Sequence, residues 1–177
     1  MRPYSTVAGP ARKEFPVKTQ DSITAQTAVS ETPAVALPRT IHLVPMDHLN
    51  GFDVRPGFYE INGATAIPGG VNFTVHSHGA TAIELLLFHR GETEPYAILP
   101  FPERYRIGNV YSMIVFKLNI EEFEYAFRVD GPRDTEKGLI FDKTKYLLDP
   151  YARAVTGQSQ WGVKDGSGQH YKARVVK

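Results

Sequence analysis

The chain has 177 residues, 42% hydrophobic and 22% charged, which suits one domain of ordinary size. Its formal net charge is +1, with Lys and Arg scattered rather than striped, and that argues against a nucleic-acid partner. Cysteine is absent, which excludes a disulfide framework and any thiolate zinc site and is compatible with a reducing cytosol.

Residues 1–40 are rich in Thr, Ala, Ser, Pro and Gln without a sustained period. Too little apolar surface is grouped there to offset the entropy of ordering it, so the segment reads as a disordered leader. A helix around Ile23 to Val29 is the weaker alternative, given the Thr and Ser density. The first fifteen residues lack an apolar run of secretory length, and nothing later approaches the about 18 consecutive apolar residues of a membrane helix. No membrane association and a cytoplasmic location are therefore expected.

Ile41 to Asn50 allows a short strand limited by Pro45, and Arg55-Pro56-Gly57 marks a turn. Val71, Phe73 and Val75 alternate with Asn72, Thr74 and His76, predicting a strand with one wet face. Ala82 to His89 is apolar on both parities, as expected of a strand covered on both faces. Arg90-Gly91-Glu92 turns the chain, and Tyr96 to Leu99 is a short partner strand ended by Pro100. After the polar loop FPERYRIGN, Val110 to Leu118 is again apolar on both parities, and Asn119 to Phe123 makes a corner.

Tyr125, Phe127 and Val129 then alternate with Ala126, Arg128 and Asp130, the pattern of a half-buried strand, until Gly131-Pro132 ends it. A last apolar run, Tyr146-Leu147-Leu148, closes at Asp149-Pro150. Six or seven short strands with Gly and Pro turns predict an all-β, immunoglobulin-like β-sandwich over residues 41–155. Residues 156–177, glycine-rich and carrying the sole tryptophan Trp161, read as a connector.

Three groups of residues carry a family likeness. They are Tyr125-x-Phe127-Arg128-Val129-x-Gly131-Pro132, the Gly138 to Asp142 loop, and Leu147-Leu148-Asp149-Pro150-Tyr151-Ala152-Arg153. Together with Gly57-Phe58-Tyr59, Gly63-Ala64-Thr65 and Gly70 to Val75, they resemble the N-terminal carbohydrate-binding-type sandwich of isoamylase and glycogen debranching enzymes, in the α-amylase clan. The likeness runs from about Gly51 to Lys177. Asp130 and Leu139-Ile140 replace the His and His-Arg often seen in that loop of the family.

The resemblance implies a module that precedes a catalytic (β/α)8 barrel in a glycoside hydrolase cleaving α-1,6-glucosidic branches. Such a barrel needs about 250 residues, so this chain is expected to be non-catalytic and to lack the barrel. The implied partners are that barrel and an α-glucan such as glycogen, starch or limit dextrin. No cofactor and no metal is implied.

Family modules hold α-glucan by stacking sugar rings on aromatic side chains, whose apolar faces complement the C–H face of a pyranose. Tyr111 stands where such modules read tryptophan, and Tyr105, Tyr59 and Tyr96 are further candidates; the ordinary reading of any one of them is a core or rim residue. Asp149, Tyr151 and Arg153 are expected at the domain junction, with Leu86, Phe88, Ile114 and Phe116 forming an interdomain face. His76-x-His78 lacks a third ligand and reads as two surface histidines. Glu121, Glu122 and Glu124 read as a solvated cluster, since glycoside hydrolysis needs two carboxyls across a sugar cleft. The alternatives to an accessory module are an autonomous glycogen-binding module and a protein-binding structural sandwich.

Overall fold

A computed structural model describes residues 43–157 and 171–177. The leader expected over residues 1–40 and Trp161 lie outside the described residues. In chain order the strands are β1 (Asp47–Leu49), β2 (Phe52–Pro56), β3 (Gly63–Ile67), β4 (Gly70–His76), β5 (Ala82–His89) and β6 (Ala97–Pro100). They continue with β7 (Arg106–Ile107), β8 (Val110–Phe116), β9 (Phe123–Asp130), β10 (Arg133–Asp134), β11 (Leu139–Ile140), β12 (Ala154–Thr156) and β13 (Lys172–Arg174). A single 3-10 turn, Glu103–Tyr105, is the one helical element among the described residues.

Two antiparallel sheets result. One has the order β1-β2-β8-β4-β3, with β7 also against β8, and the other has β12-β13-β9-β5-β6. Strands β10 and β11 form a separate ribbon. Alternation sends Val54, Val71, Phe73, Tyr111, Met113 and Val115 of the first sheet inward, against Ile83, Leu85, Leu87, Phe123, Tyr125 and Phe127 of the second. Phe73 sits at the centre of this contact, 5.3 Å from the Tyr125 ring in an edge arrangement and 6.3 Å from Phe123. The molecule is the immunoglobulin-like β-sandwich expected from the strand pattern.

Sequence pattern and structure part at several places. The outer face of β4 is polar but not wet, because Asn72 and Thr74 are fully buried. The chain at Gly57 and Phe58 lies over them: Asn72 Oδ1 accepts the Phe58 N–H at 2.8 Å, and Thr74 Oγ1 bonds Ser112 Oγ at 2.6 Å and donates to the Phe58 carbonyl at 3.1 Å. A Cβ on Gly57 would collide with Ser112 Oγ and Asn72 Oδ1, so only glycine lets the backbone come this close. Strands β2 and β3, which the sequence pattern marks only by the turn at Arg55-Pro56-Gly57 and by the Gly63-Ala64-Thr65 motif, pair with β1 and β4 as full ladders.

The apolar residues on the second parity do not make one face. Leu86 and Phe88 lie on the outer side of the second sheet, buried with Ala126 under Ile98 and Tyr146. Ile114 and Phe116 lie on the outer side of the first sheet, also buried. Parity alone could not tell that these strands belong to different sheets. Tyr146 to Leu148 forms no strand; Leu147 makes one isolated bridge to Phe127, with hydrogen bonds of 2.7 and 2.9 Å. Residues 172–174, assigned from sequence to a connector, lie between β12 and β9 as β13, with Ala173 and Val175 in the core.

Candidate functional site

Two of the tyrosines singled out for sugar stacking belong to the interior. Tyr105 and Tyr111 are each 1% exposed. The Tyr105 hydroxyl donates to the Asp47 carboxylate, which also holds the Arg104 guanidinium at 2.5 Å. The Tyr111 hydroxyl donates to the Ala80 carbonyl at 3.1 Å, and its ring meets the edge of Phe101. Neither ring offers a face to a sugar. Inward alternation on β8 puts Tyr111 there, the 3-10 turn Glu103–Tyr105 turns Tyr105 inward, and the hydrophobic cost of exposing such rings keeps both buried. Burial pushes both phenols up, and the Asp47 carboxylate adds to the effect at Tyr105.

Tyr59 is half-buried in the segment that follows β2, and burial raises its phenol. Tyr96 is the more open candidate at 41% exposure. It lies where the β5–β6 connection returns, its N–H bonded to the Leu87 carbonyl at 2.8 Å. Its ring stacks on the exposed imidazole of His89 at 4.2 Å and 18°, and tilts against Phe52 at 6.5 Å. Burial first and the Glu122 charge second push its hydroxyl up, so near neutral pH it is a neutral phenol able to donate. His89 and Phe52 were not singled out by sequence, because β5 and β2 belong to different sheets and meet only in the folded chain.

Asp149, Tyr151 and Arg153 lie close together along one turn but in unequal settings. Asp149 is buried; its Oδ2 accepts the Tyr125 hydroxyl at 2.7 Å and its Oδ1 the Tyr151 N–H at 2.8 Å. Burial and the Asp149 carboxylate push the Tyr125 phenol strongly up, which fixes it as the donor. Gly63 is pressed against the same turn, with room for no Cβ 2.8 Å from the Tyr151 Cβ. Asp149 thus pins the Leu147–Ala152 segment to β9 and β3. Leu147, Leu148, Tyr151 and Arg153 are left exposed around it, Tyr151 at 54%.

An open groove of about 520 Å³ lies beside Glu84, Arg128, Asp130, Lys143 and Thr144. Its charges are internally matched: Arg128 Nε is 2.5 Å from Glu84 Oε2 and Lys143 Nζ is 3.7 Å from Asp130 Oδ2. No aromatic ring lines it. The three corner glutamates diverge in role. Glu121 meets Arg90 at 3.0 Å and Arg174 at 3.5 Å, Glu122 accepts from Asn119 at 2.6 Å, and Glu124 is buried against Lys172 at 3.2 Å. His76 and His78 are exposed. Among the described residues no group of three His, Asp or Glu side chains could hold a metal ion, and no helix is long and apolar enough to cross a membrane.

These features define a class: an immunoglobulin-like sandwich whose accessible chemistry is an aromatic surface and an exposed apolar segment. Carbohydrate-binding module 48, the isoamylase N-terminal domain, matches residues 62–152, just over half of the chain. The chain belongs to that family. It is 37% identical over 107 residues to isoamylase SU1, chloroplastic, of Zea mays, covering 57% of this chain and 13% of that protein. With the glycogen debranching enzyme of Serratia proteamaculans it shares 35% over 105 residues, 59% of this chain and 15% of that one. The chain therefore spans about one seventh of the length of these curated relatives. The fold matches the catalytic module of the glycogen-degrading pneumococcal virulence factor SpuA with a TM-score of 0.50 at 14% identity, covering 69% of this chain and 17% of that one.

Proposed function

We propose that this chain is a non-catalytic accessory module of a debranching glycoside hydrolase acting on α-1,6-glucosidic branches, and that it contacts α-glucan while supporting an α-amylase-type barrel. The observation that carries this reading is the family match, which runs through β3 to β11 and ends in the segment pinned by Asp149. Exposed Leu147, Leu148 and Tyr151 supply an apolar edge suited to a packing partner. The stack of Tyr96 on His89 supplies the surface suited to a sugar ring. A cytosolic location, resting on the cysteine-free composition, belongs to the same proposal and is tested by fractionating the source cells.

The test is affinity electrophoresis of the purified chain in gels with and without glycogen, with a reducing-sugar assay on the same preparation. Retardation by glycogen, reduced in Tyr96→Ala and without sugar release, is the expected outcome. Tyr111→Ala is the poorer probe, because it removes core packing. Absence of retardation would leave support of the barrel as the whole role. Sugar release from a pure sample would overturn the non-catalytic reading. A second reading, a protein-binding structural sandwich, is favoured by the exposed Leu147–Tyr151 edge, and self-association relieved by Leu148→Asp would support it.

A further inference from the structure

Lys172 opens β13, yet it is only 6% exposed. Its ammonium lies 3.2 Å from Glu124 Oε2, donates to the Glu92 carbonyl, and sits 5.0 Å from the centre of the Phe88 ring. Glu124 Oε2 also faces the Gly91 N–H at 3.5 Å. The two halves of one buried ion pair therefore hold the two polar groups of one turn, the carboxylate taking an N–H and the ammonium a carbonyl. That turn leaves β5 at His89 and returns at Tyr96, the two stacked rings.

Burying a lysine and a glutamate is unfavourable unless every hydrogen-bonding group finds a partner, and an apolar pair of similar volume would stabilise the strand at least as well. What the ion pair adds is direction. Sliding β13 by one residue would carry Lys172 to the side where Ala173 now faces the core. We infer that Lys172 and Glu124 form a latch through which the last strand sets the β5–β6 turn, making Lys172 a positioning residue for the Tyr96–His89 surface. Its bearing on α-glucan binding rests on the function proposed above; its bearing on the turn does not.

Exchanging the charges, Glu124→Lys with Lys172→Glu, separates this role from simple docking of β13. The exchanged pair keeps its attraction but faces the Glu92 carbonyl with a carboxylate and the Gly91 N–H with an ammonium. Should that variant fail to fold, Lys172→Met with Glu124→Gln removes both charges at similar volume. NMR reads the outcome in the whole chain through the ring-current shift of the His89 protons above Tyr96, the exchange of the Gly91 and Glu92 amides, and the exchange of core amides such as Leu85.

The expected result is unchanged core exchange, loss of the His89 shift, about tenfold faster exchange in the turn, and about tenfold weaker retardation by glycogen. A His89 shift and turn exchange equal to those of the parent chain would overturn the latch. If the parent chain is not retarded by glycogen, the α-glucan-binding part of the proposed function falls, while the same shift and exchange still decide the latch.

Discussion

At Gly57 the backbone packs directly on the side chains of Asn72 and Ser112; Asn72 and Thr74 bond the same stretch of chain, and Ser112 bonds Thr74. Gly57→Ala must push this segment off β4 and β8, stretching buried hydrogen bonds while it overpacks the contact. A loss of about 1–3 kcal/mol is expected, read as a lower urea midpoint at unchanged slope. The Gly-aromatic pattern was legible in sequence as a family mark; its reason was not. Polar residues at alternate positions look solvated until the loop that covers them is known. Tyr111 shows the converse, since a tyrosine on a strand looks equally suited to core and to ligand until its face is assigned.

Strand β1 lies at the edge of its sheet and is three residues long, too short to hold by ladder bonds alone. Asp47 ties it to the Glu103–Tyr105 turn, where the Arg104 guanidinium first, and the Tyr105 hydroxyl second, hold its carboxyl below the usual carboxylate range. Asp53 on β2 is lowered likewise by Lys117 and then His48. Because these pKa values are lower in the folded chain than in the unfolded one, the unfolded chain takes up protons first on acidification. The stability they contribute is present above the unfolded carboxylate pKa and is lost as pH falls through the folded one. Asp47→Asn should therefore lower the thermal midpoint at pH 7 and flatten its fall below about pH 5; an acid limb identical to that of the parent chain would refute this account of β1. Sequence allowed a strand within Ile41 to Asn50 but gave no sign of its anchor, because Asp47 and Tyr105 are 58 positions apart.

For the molecule as a whole, one core shared by both sheets means that neither sheet buries its inner face without the other. Phe73→Ala removes the ring that touches both Tyr125 and Phe123 and should cost about 3–5 kcal/mol. Tyrosine fluorescence and far-UV circular dichroism should then report one coincident unfolding transition at the lower midpoint. The sequence by itself determined the all-β class, strands β4, β5, β6, β8 and β9, and the family. These are carried by local alternation, by turn residues and by contiguous motifs, all properties of neighbours along the chain. Only the tertiary structure decided that Leu86 and Ile114 face opposite outsides, that Tyr105 and Tyr111 are interior while Tyr96 stacks openly on His89, and that Lys172 returns to lie between β12 and β9. The inward face of a strand, and the partner of a buried charge, are set by pairings between residues distant in sequence. The period of one strand contains no information about which sheet will cover it.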